Sequence, residues 1–301
     1  MPSPPVRVLT WNVFHCRDGG ADPDRGHVHL ARKLTGPVAA VLRRAAADVV
    51  LLQEVPPAAL PALARGAGLT AGWSVLTAPW LGPVALRGWL GARDPDLWRS
   101  HEGQANALLL GPRVRPVPGS ARRVRLSPMP AIVRAARRRG LAADEAFRWA
   151  REARAAVVAR VVLPGGTEAT VASLHMQNSR HPWQSVQEAE ALAAALAGVA
   201  GPLIVGGDLN VPPGHPALAP LTAVGLGDPS ADPRMGIDRV LVRGLEVVAP
   251  ARRWHPEERM VPLRRAPTPG AEGGAGREGR DVRVLVSDHD PVEAVVRVPS
   301  G

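Results

Sequence analysis

Six short segments of the chain carry acidic, amide or imidazole side chains at one end of an apolar run. Asn12 ends the run in TWNV and Glu54 the run in LLQEV. His175 closes SLHMQ's apolar stretch, and Asp208 and Asn210 follow the one in GGDLN. Asp238 opens GIDRVLV, and Asp288 and His289 stand before the last run, in SDHDPV. Each has an ordinary reading alone: a Glu after a strand is a solvated cap, and Asp-x-Asn is common turn chemistry. Six of them at strand termini point instead to one shared site, because strand ends are where α/β proteins place their chemistry. Two imidazoles and four carboxylates are the parts that water attack on a phosphodiester needs. A cation and a protonated imidazole neutralise the negative charge that builds on the phosphoryl and leaving oxygens, while a base activates the water. No Ser or Cys motif suggests a covalent nucleophile, so direct attack by water is the simpler chemistry.

The elements that must position these residues can be read from the apolar pattern. Strands are expected at 6–13, 48–55, 105–110, 156–163, 169–175, 203–207, 238–242 and 292–298, and helices at 37–47, 57–67, 129–154 and 183–198. The 129–154 stretch reads as two short helices around Gly140. Short strands with helices between them imply an α/β or α+β sandwich. Residues 262–281, rich in Pro, Gly and charge, read as a mobile surface loop between two strands. Trp80, Trp89 and Trp98 are spaced so that successive indoles fall on opposite sides of a helix, which favours packing over a base-stacking platform.

The order of the motifs TWNV, LLQEV, SLHMQ, GGDLN, GIDRV and SDHDPV resembles the endonuclease/exonuclease/phosphatase superfamily of metal-dependent phosphoesterases. The resemblance runs from residue 6 to 298. It implies an α+β fold, a four-layer α/β/β/α sandwich of two mostly antiparallel sheets packed face to face with helices outside. It also implies one domain over 1–301, with a basic helical insertion at about 120–155. By the same resemblance Glu54 is the main ligand of a divalent metal, Mg²⁺ or Mn²⁺, with Asn12 and Asp288 close by. Hard oxygen ligands suit Mg²⁺. His289 would be the general base with Asp238 as its partner. Asp208 and Asn210 would orient water and phosphate or help hold a second metal, and His175 would donate to a phosphate oxygen. Two departures disfavour abasic-site repair: there is no Tyr, and His175 fills a position where that branch lacks histidine. Phe14 stands where some nucleases carry an acid. Glu102 and Gln104 are the nearest candidates to orient His175. His15, His27 and His29, beside Asp18, Asp22 and Asp24, read as a solvated loop because their spacing fits no known cluster.

Composition sets the outer bounds. The 301 residues are 46% hydrophobic and 21% charged, ordinary for a globular chain and unlike a disordered one. No run approaches the roughly 20 apolar residues that span a bilayer, and the start lacks a secretion-signal pattern. With one cysteine, Cys16, no intrachain disulfide forms, and a cytoplasmic monomer is the default expectation. Residues 113–160 hold thirteen arginines against three acids, which accounts for the whole net charge of +10. Among them Arg134, Arg137 and Arg138 share a helical face suited to phosphates. A compositional preference for arginine, with Lys33 the sole lysine, is the competing reading of that segment. The leading expectation is a Mg²⁺-dependent nuclease gripping nucleic acid through this segment. The alternative is an inositol-phosphate or lipid-headgroup phosphatase or phosphodiesterase. A binding protein with a retired site is disfavoured, since no core residue is lost. No apolar surface loop stands out as a membrane anchor, so soluble substrates and no stable membrane insertion are expected.

Overall fold

A computed structural model describes residues 3–16, 34–76, 104–151, 154–178, 181–230, 232, 235–264 and 281–300. The first unit contains β1 (Val6–Asn12), α1 (Thr35–Ala45), β2 (Val49–Val55), α2 (Leu60–Ala67), β3 (Thr70–Leu76) and β4 (Ala105–Leu110). Next come β5 (Arg115–Pro116), β6 (Arg122–Arg125), α3 (Met129–Arg139), α4 (Ala143–Arg151), β7 (Ala155–Val162), β8 (Glu168–His175), α5 (Pro182–Leu196) and β9 (Leu203–Asp208). The chain continues through α6 (Ala219–Ala223), β10 (Asp238–Arg243), β11 (Glu246–Arg253), α7 (Pro256–Arg259), β12 (Met260–Arg264), β13 (Asp281–Leu285) and β14 (Val292–Arg297).

Two sheets result. One runs β11-β14-β1-β2-β4-β3, the other β10-β9-β8-β7-β5 with β6 also on β7. Each is antiparallel except for one parallel pair, β1 with β2 and β8 with β9. Layering follows from side-chain alternation along the strands. From β1, Val6 and Val8 face an inter-sheet core with Leu51, Leu108, Val171, Ile204 and Val240. Leu9 and Trp11 face the other way, onto Val38, Val41 and Leu42 of α1 and Leu63 of α2. On the far side of the second sheet, Leu174 and Val205 pack against Leu192 and Leu196 of α5. The order is helix, sheet, sheet, helix, the α+β sandwich expected. All seven residues of β2 are buried, which is why Val49 to Leu52 are apolar on both faces rather than alternating. Within the inter-sheet core, Gln53 donates to Ser173 Oγ at 3.0 Å and Ser173 donates to Leu52 O at 3.0 Å, so a satisfied polar bridge ties the sheets beside the site.

Several expectations change. Pro262 to Arg264 belong to β12, which pairs with β13 in register Pro262 to Arg283, so the expected 262–281 loop is shorter; 265–280 lie outside the described residues. The basic insertion is helical only from Met129 to Arg151, because 122–125 pair with β7 as β6. The break at Gly140 stands: its φ is 64° and its N–H caps Ala136 O, a left-handed turn that glycine adopts without strain. Trp80, Trp89 and Trp98 lie outside the described residues. Among the described residues no helix is long and apolar enough to cross a membrane. Yet Met129, Val133 and Phe147 are exposed on α3 and α4, a feature the sequence reading did not find.

Candidate active site

The two parallel pairs end on the same edge of the sandwich and bring the polar termini together. In register, His175 lies opposite Asp208 across β8 and β9, and Asp238 opposite Asp208 across β9 and β10. Three neighbouring strands thus carry an imidazole and two carboxylates side by side. From the other sheet, Asn12 at the end of β1 reaches across: its Nδ2 donates to Glu54 Oε1 at 3.3 Å and to Asp208 Oδ2 at 3.1 Å. Its Oδ1 accepts from the Phe14 N–H at 3.0 Å. Asn12 is therefore a clamp between two carboxylates.

Backbone strain concentrates here. Glu54 has φ 52°, His15 53°, Asn210 51° and Ser287 65°, a left-handed region that costs non-glycine residues energy. At Glu54 the strain goes with a register shift between Leu52 and Val55 where β2 pairs with β4. The bulge re-aims the carboxylate.

His289 sits on the turn before β14. Its Nδ1 is 2.8 Å from Asp238 Oδ2, and its Nε2 is 3.8 Å from Asp208 Oδ2. The turn is held from below: Ser287 Oγ donates to Asn12 O and accepts from His289 N–H, while Trp11 Nε1 donates to His289 O. Arg259, buried, donates to Val286 O at 2.7 Å and to Ser287 O, and pairs with Asp290. Asp208 Oδ1 accepts from Asn210 N–H, and Asn210 Nδ2 donates to Met176 O at 2.8 Å.

The electrostatics are crowded. Burial, then the Asp238 charge, push Asp208 up to about 7. Burial works against a charged His289, but the Asp238 hydrogen bond and the charges of Asp238, Asp208 and Asp288 overcome it and raise that imidazole to about 10. Burial and the Arg154 charge hold His175 well below the ordinary histidine value. Ligand atoms of Asp208, Asp238 and His289 all lie within 4.8 Å of one another. Asp238 Oδ1 is buried without a hydrogen-bond partner. A concentration of carboxylate oxygens, one of them unsatisfied and one group raised toward neutrality by burial and its neighbour's charge, fits a hard divalent cation.

The structure brings Asn12, Glu54, His175, Asp208, Asn210, Asp238 and His289 together. Asp288, on the same turn as His289, is exposed. Arg134, Arg137 and Arg138 are exposed on α3 and, among the described residues, form no hydrogen bond to the cluster. His15 corrects the solvated-loop reading: it is buried, its Nε2 is 3.3 Å from Glu54 Oε2, and it contacts Gln104 at 3.0 Å. Gln104 thus lies against His15. The group on His175 Nδ1 is Arg154, at 3.2 Å. Glu102, His27 and His29 lie outside the described residues, as do Asp18, Asp22 and Asp24. Nothing in the sequence separates Arg154 from the twelve other arginines of its segment. His15 carried one signal, its place three residues beyond Asn12.

Sandwich and edge cluster together have the form of a phosphoesterase fold and site. The endonuclease/exonuclease/phosphatase family model matches residues 9–289, and the chain belongs to that family, whose members are hydrolases of phosphoester bonds. No curated protein matches the chain. Among solved structures, an endonuclease/exonuclease/phosphatase from Beutenbergia cavernae is 19% identical, with 98% of this chain and 72% of that one covered and a TM-score of 0.61. The mannosyl-6-phosphatase of Bacteroides thetaiotaomicron is 14% identical over 97% and 99% of the two chains, at 0.54. D. rerio TDP2 in complex with a single-strand DNA product is 14% identical over 97% and 99%, at 0.50. At these identities the likeness is one of fold.

Proposed function

We propose that the protein is a Mg²⁺-dependent phosphodiesterase acting on nucleic acid, with water as nucleophile. The observation that carries the chemistry is the His289–Asp238 pair at 2.8 Å, facing Asp208 inside a group of carboxylates. His289 Nε2 takes the proton of the attacking water, and Asp238 fixes the tautomer and stabilises the imidazolium that forms. His175, on β8 beside Asp208, donates to a phosphoryl oxygen as negative charge builds there. Asp208 and Asn210, locked to each other and to Met176 O, orient water and phosphate. Glu54 leads the metal ligand set, with Asp288 as the exposed carboxylate of the His289 turn and Asn12 holding Glu54 in place. A cation held by these residues would supply charge neutralisation at the phosphate and, by offsetting the carboxylates, would lower the basicity of His289 from its raised value.

The arginines of α3 support a polyanionic substrate, and a relative of the same fold carries a DNA product. Exposed Met129, Val133 and Phe147 near those arginines in sequence favour a second reading, a lipid-headgroup phosphodiester at an anionic surface. The test is hydrolysis of bis-p-nitrophenyl phosphate, plasmid DNA, RNA, sphingomyelin vesicles and inositol phosphates with Mg²⁺ and with excess EDTA. Cleavage of DNA or RNA that EDTA abolishes is expected. Full activity in EDTA overturns the metal mechanism, and turnover of vesicles alone overturns the nucleic-acid reading.

A further inference from the structure

We propose that Arg154 is the positioning residue that fixes His175 as a neutral imidazole with its single proton on Nε2, aimed as a hydrogen-bond donor into the site. The phosphate-facing part of this role rests on the function proposed above. A guanidinium carries five N–H donors and no acceptor. With Arg154 Nη1 at 3.2 Å, His175 Nδ1 is obliged to be the acceptor. The ring proton then sits on Nε2, which lies 3.4 Å from Asp208 Oδ2, an acceptor. The Nδ1 contact sets the tautomer, and Asp208 Oδ2, which already accepts from Asn12 Nδ2, is compatible with it. Glu54 Oε1, 3.9 Å from Nδ1, lies beyond hydrogen-bond distance; a carboxylate in contact with Nδ1 would do the reverse, accepting from Nδ1–H and favouring the doubly protonated ring. The two arrangements differ in what His175 can do: with Arg154 it is a fixed donor rather than a store of a transferable proton.

Arg154 is built in. It is 7% exposed and stands immediately before β7. Its Nε donates to Gln177 Oε1 at 3.2 Å, and its carbonyl accepts from Leu126 N–H at 2.9 Å. Gln177 N–H in turn donates to Glu188 Oε2 at 2.7 Å, and Glu188 takes a hydrogen bond from Ser127. Glu188 is fully buried on α5, and burial raises its carboxyl above the ordinary value, against the hydrogen bonds from Ser127 and Gln177 and the nearby Arg154 charge. The guanidinium is thus held through Gln177, itself tied to Glu188, before it meets the imidazole. Ser127 and Leu126 lead directly into α3, so the network also joins the basic helices to His175.

The tautomer is read directly by long-range proton–nitrogen correlation spectra of the ¹⁵N-labelled, Mg²⁺-supplemented protein, with His175 assigned through His175→Asn. In the wild type Nδ1 should resonate as an unprotonated nitrogen and Nε2 as a protonated one. Arg154→Met should give a mixed pattern and lower kcat by about 10–10²-fold with little change in KM, less than the on the order of 10²–10³-fold expected from losing an oxyanion donor outright. Arg154→Lys keeps a donor and should restore the wild-type spectrum and most of kcat. A merely structural Arg154 would alter melting temperature and leave the tautomer as it was. A wild-type spectrum with Nδ1 protonated, alone or together with Nε2, overturns the proposal, even if Arg154→Met does not fold. If no phosphoester is hydrolysed, the functional reading fails by itself, since the spectrum needs no substrate.

Discussion

Glu54 is held in a left-handed backbone conformation with its carboxylate between the amide of Asn12 and the imidazole of His15. Fold and chemistry pull against each other at this residue. A non-glycine residue there costs roughly 1–2 kcal/mol, and a buried acid next to Asp208 adds repulsion. Glu54→Gly should therefore keep or raise the melting temperature while abolishing activity. Glu54→Gln should abolish activity and weaken Mg²⁺ binding, measured by calorimetric titration, with an unchanged circular dichroism spectrum. A Glu54→Gly variant that melts well below the wild type would show that the strained backbone is not a cost carried for function. His289 offers a pH test. Its value of about 10, against an ordinary 6.5, means that the fold favours the imidazolium. That contribution is fully present below about 6.5 and is lost as pH rises through 10. In EDTA, stability to urea should fall between those limits in the wild type. In Asp238→Asn, which removes the main group raising His289, the fall should flatten, and a slope equal to the wild type's would deny the pair its electrostatic role.

Strands explain why much of the site was readable and part was not. β1, β2, β8 and β9 are buried on both faces, so each announces itself as an apolar run, and the polar residue that ends it stands out. β11 is an edge strand, mostly exposed, with Pro250, Arg252 and Arg253 in it, and has no such contrast. β3 is interrupted by Gly72 at a register shift. His15, Arg154 and Arg259 escape for a different reason: their roles depend on contacts 39, 21 and 31 residues distant, with Glu54, His175 and Asp290, which no local pattern encodes. The Gly-Gly before Asp208 is a strand-level feature with a measurable consequence. A Cβ on Gly207 would sit 1.8 Å from Leu174 O, the backbone of the neighbouring strand that carries His175. Gly207→Ala should destabilise by about 1–3 kcal/mol, as overpacking does, and should also lower kcat by displacing His175 from Asp208. Thermal unfolding and single-turnover rates measure the two effects, and a fully active, stable variant would show that the strands are free to separate there.

Over the whole molecule, the charge is the unresolved asymmetry. The entire excess of +10 lies in 113–160, and the structure turns part of that segment into an exposed two-helix face. Arg139 lies over the Trp183 ring at 5.5 Å, so it is partly engaged within the protein. Arg134, Arg137 and Arg138 are exposed at spacings of three and four, and form a surface that a phosphate backbone can follow. If they contact phosphates, each one lost removes about one released counterion. The slope of log K against log salt should then fall by roughly 0.7–0.9 per residue. The triple Ala variant should bind DNA or RNA severalfold more weakly and with a flatter salt dependence. Hydrolysis of bis-p-nitrophenyl phosphate should hold steady, because no hydrogen bond joins these arginines to the cluster among the described residues. Anionic vesicles provide the contrast. There the exposed Phe147 and Val133 contribute alongside the arginines, so Phe147→Ser should weaken vesicle binding while leaving the nucleic-acid salt slope unchanged. If the triple variant binds nucleic acid as the wild type does, with the same slope, the arginines are a solvated face. The preference for nucleic acid over other phosphodiesters then loses its main support.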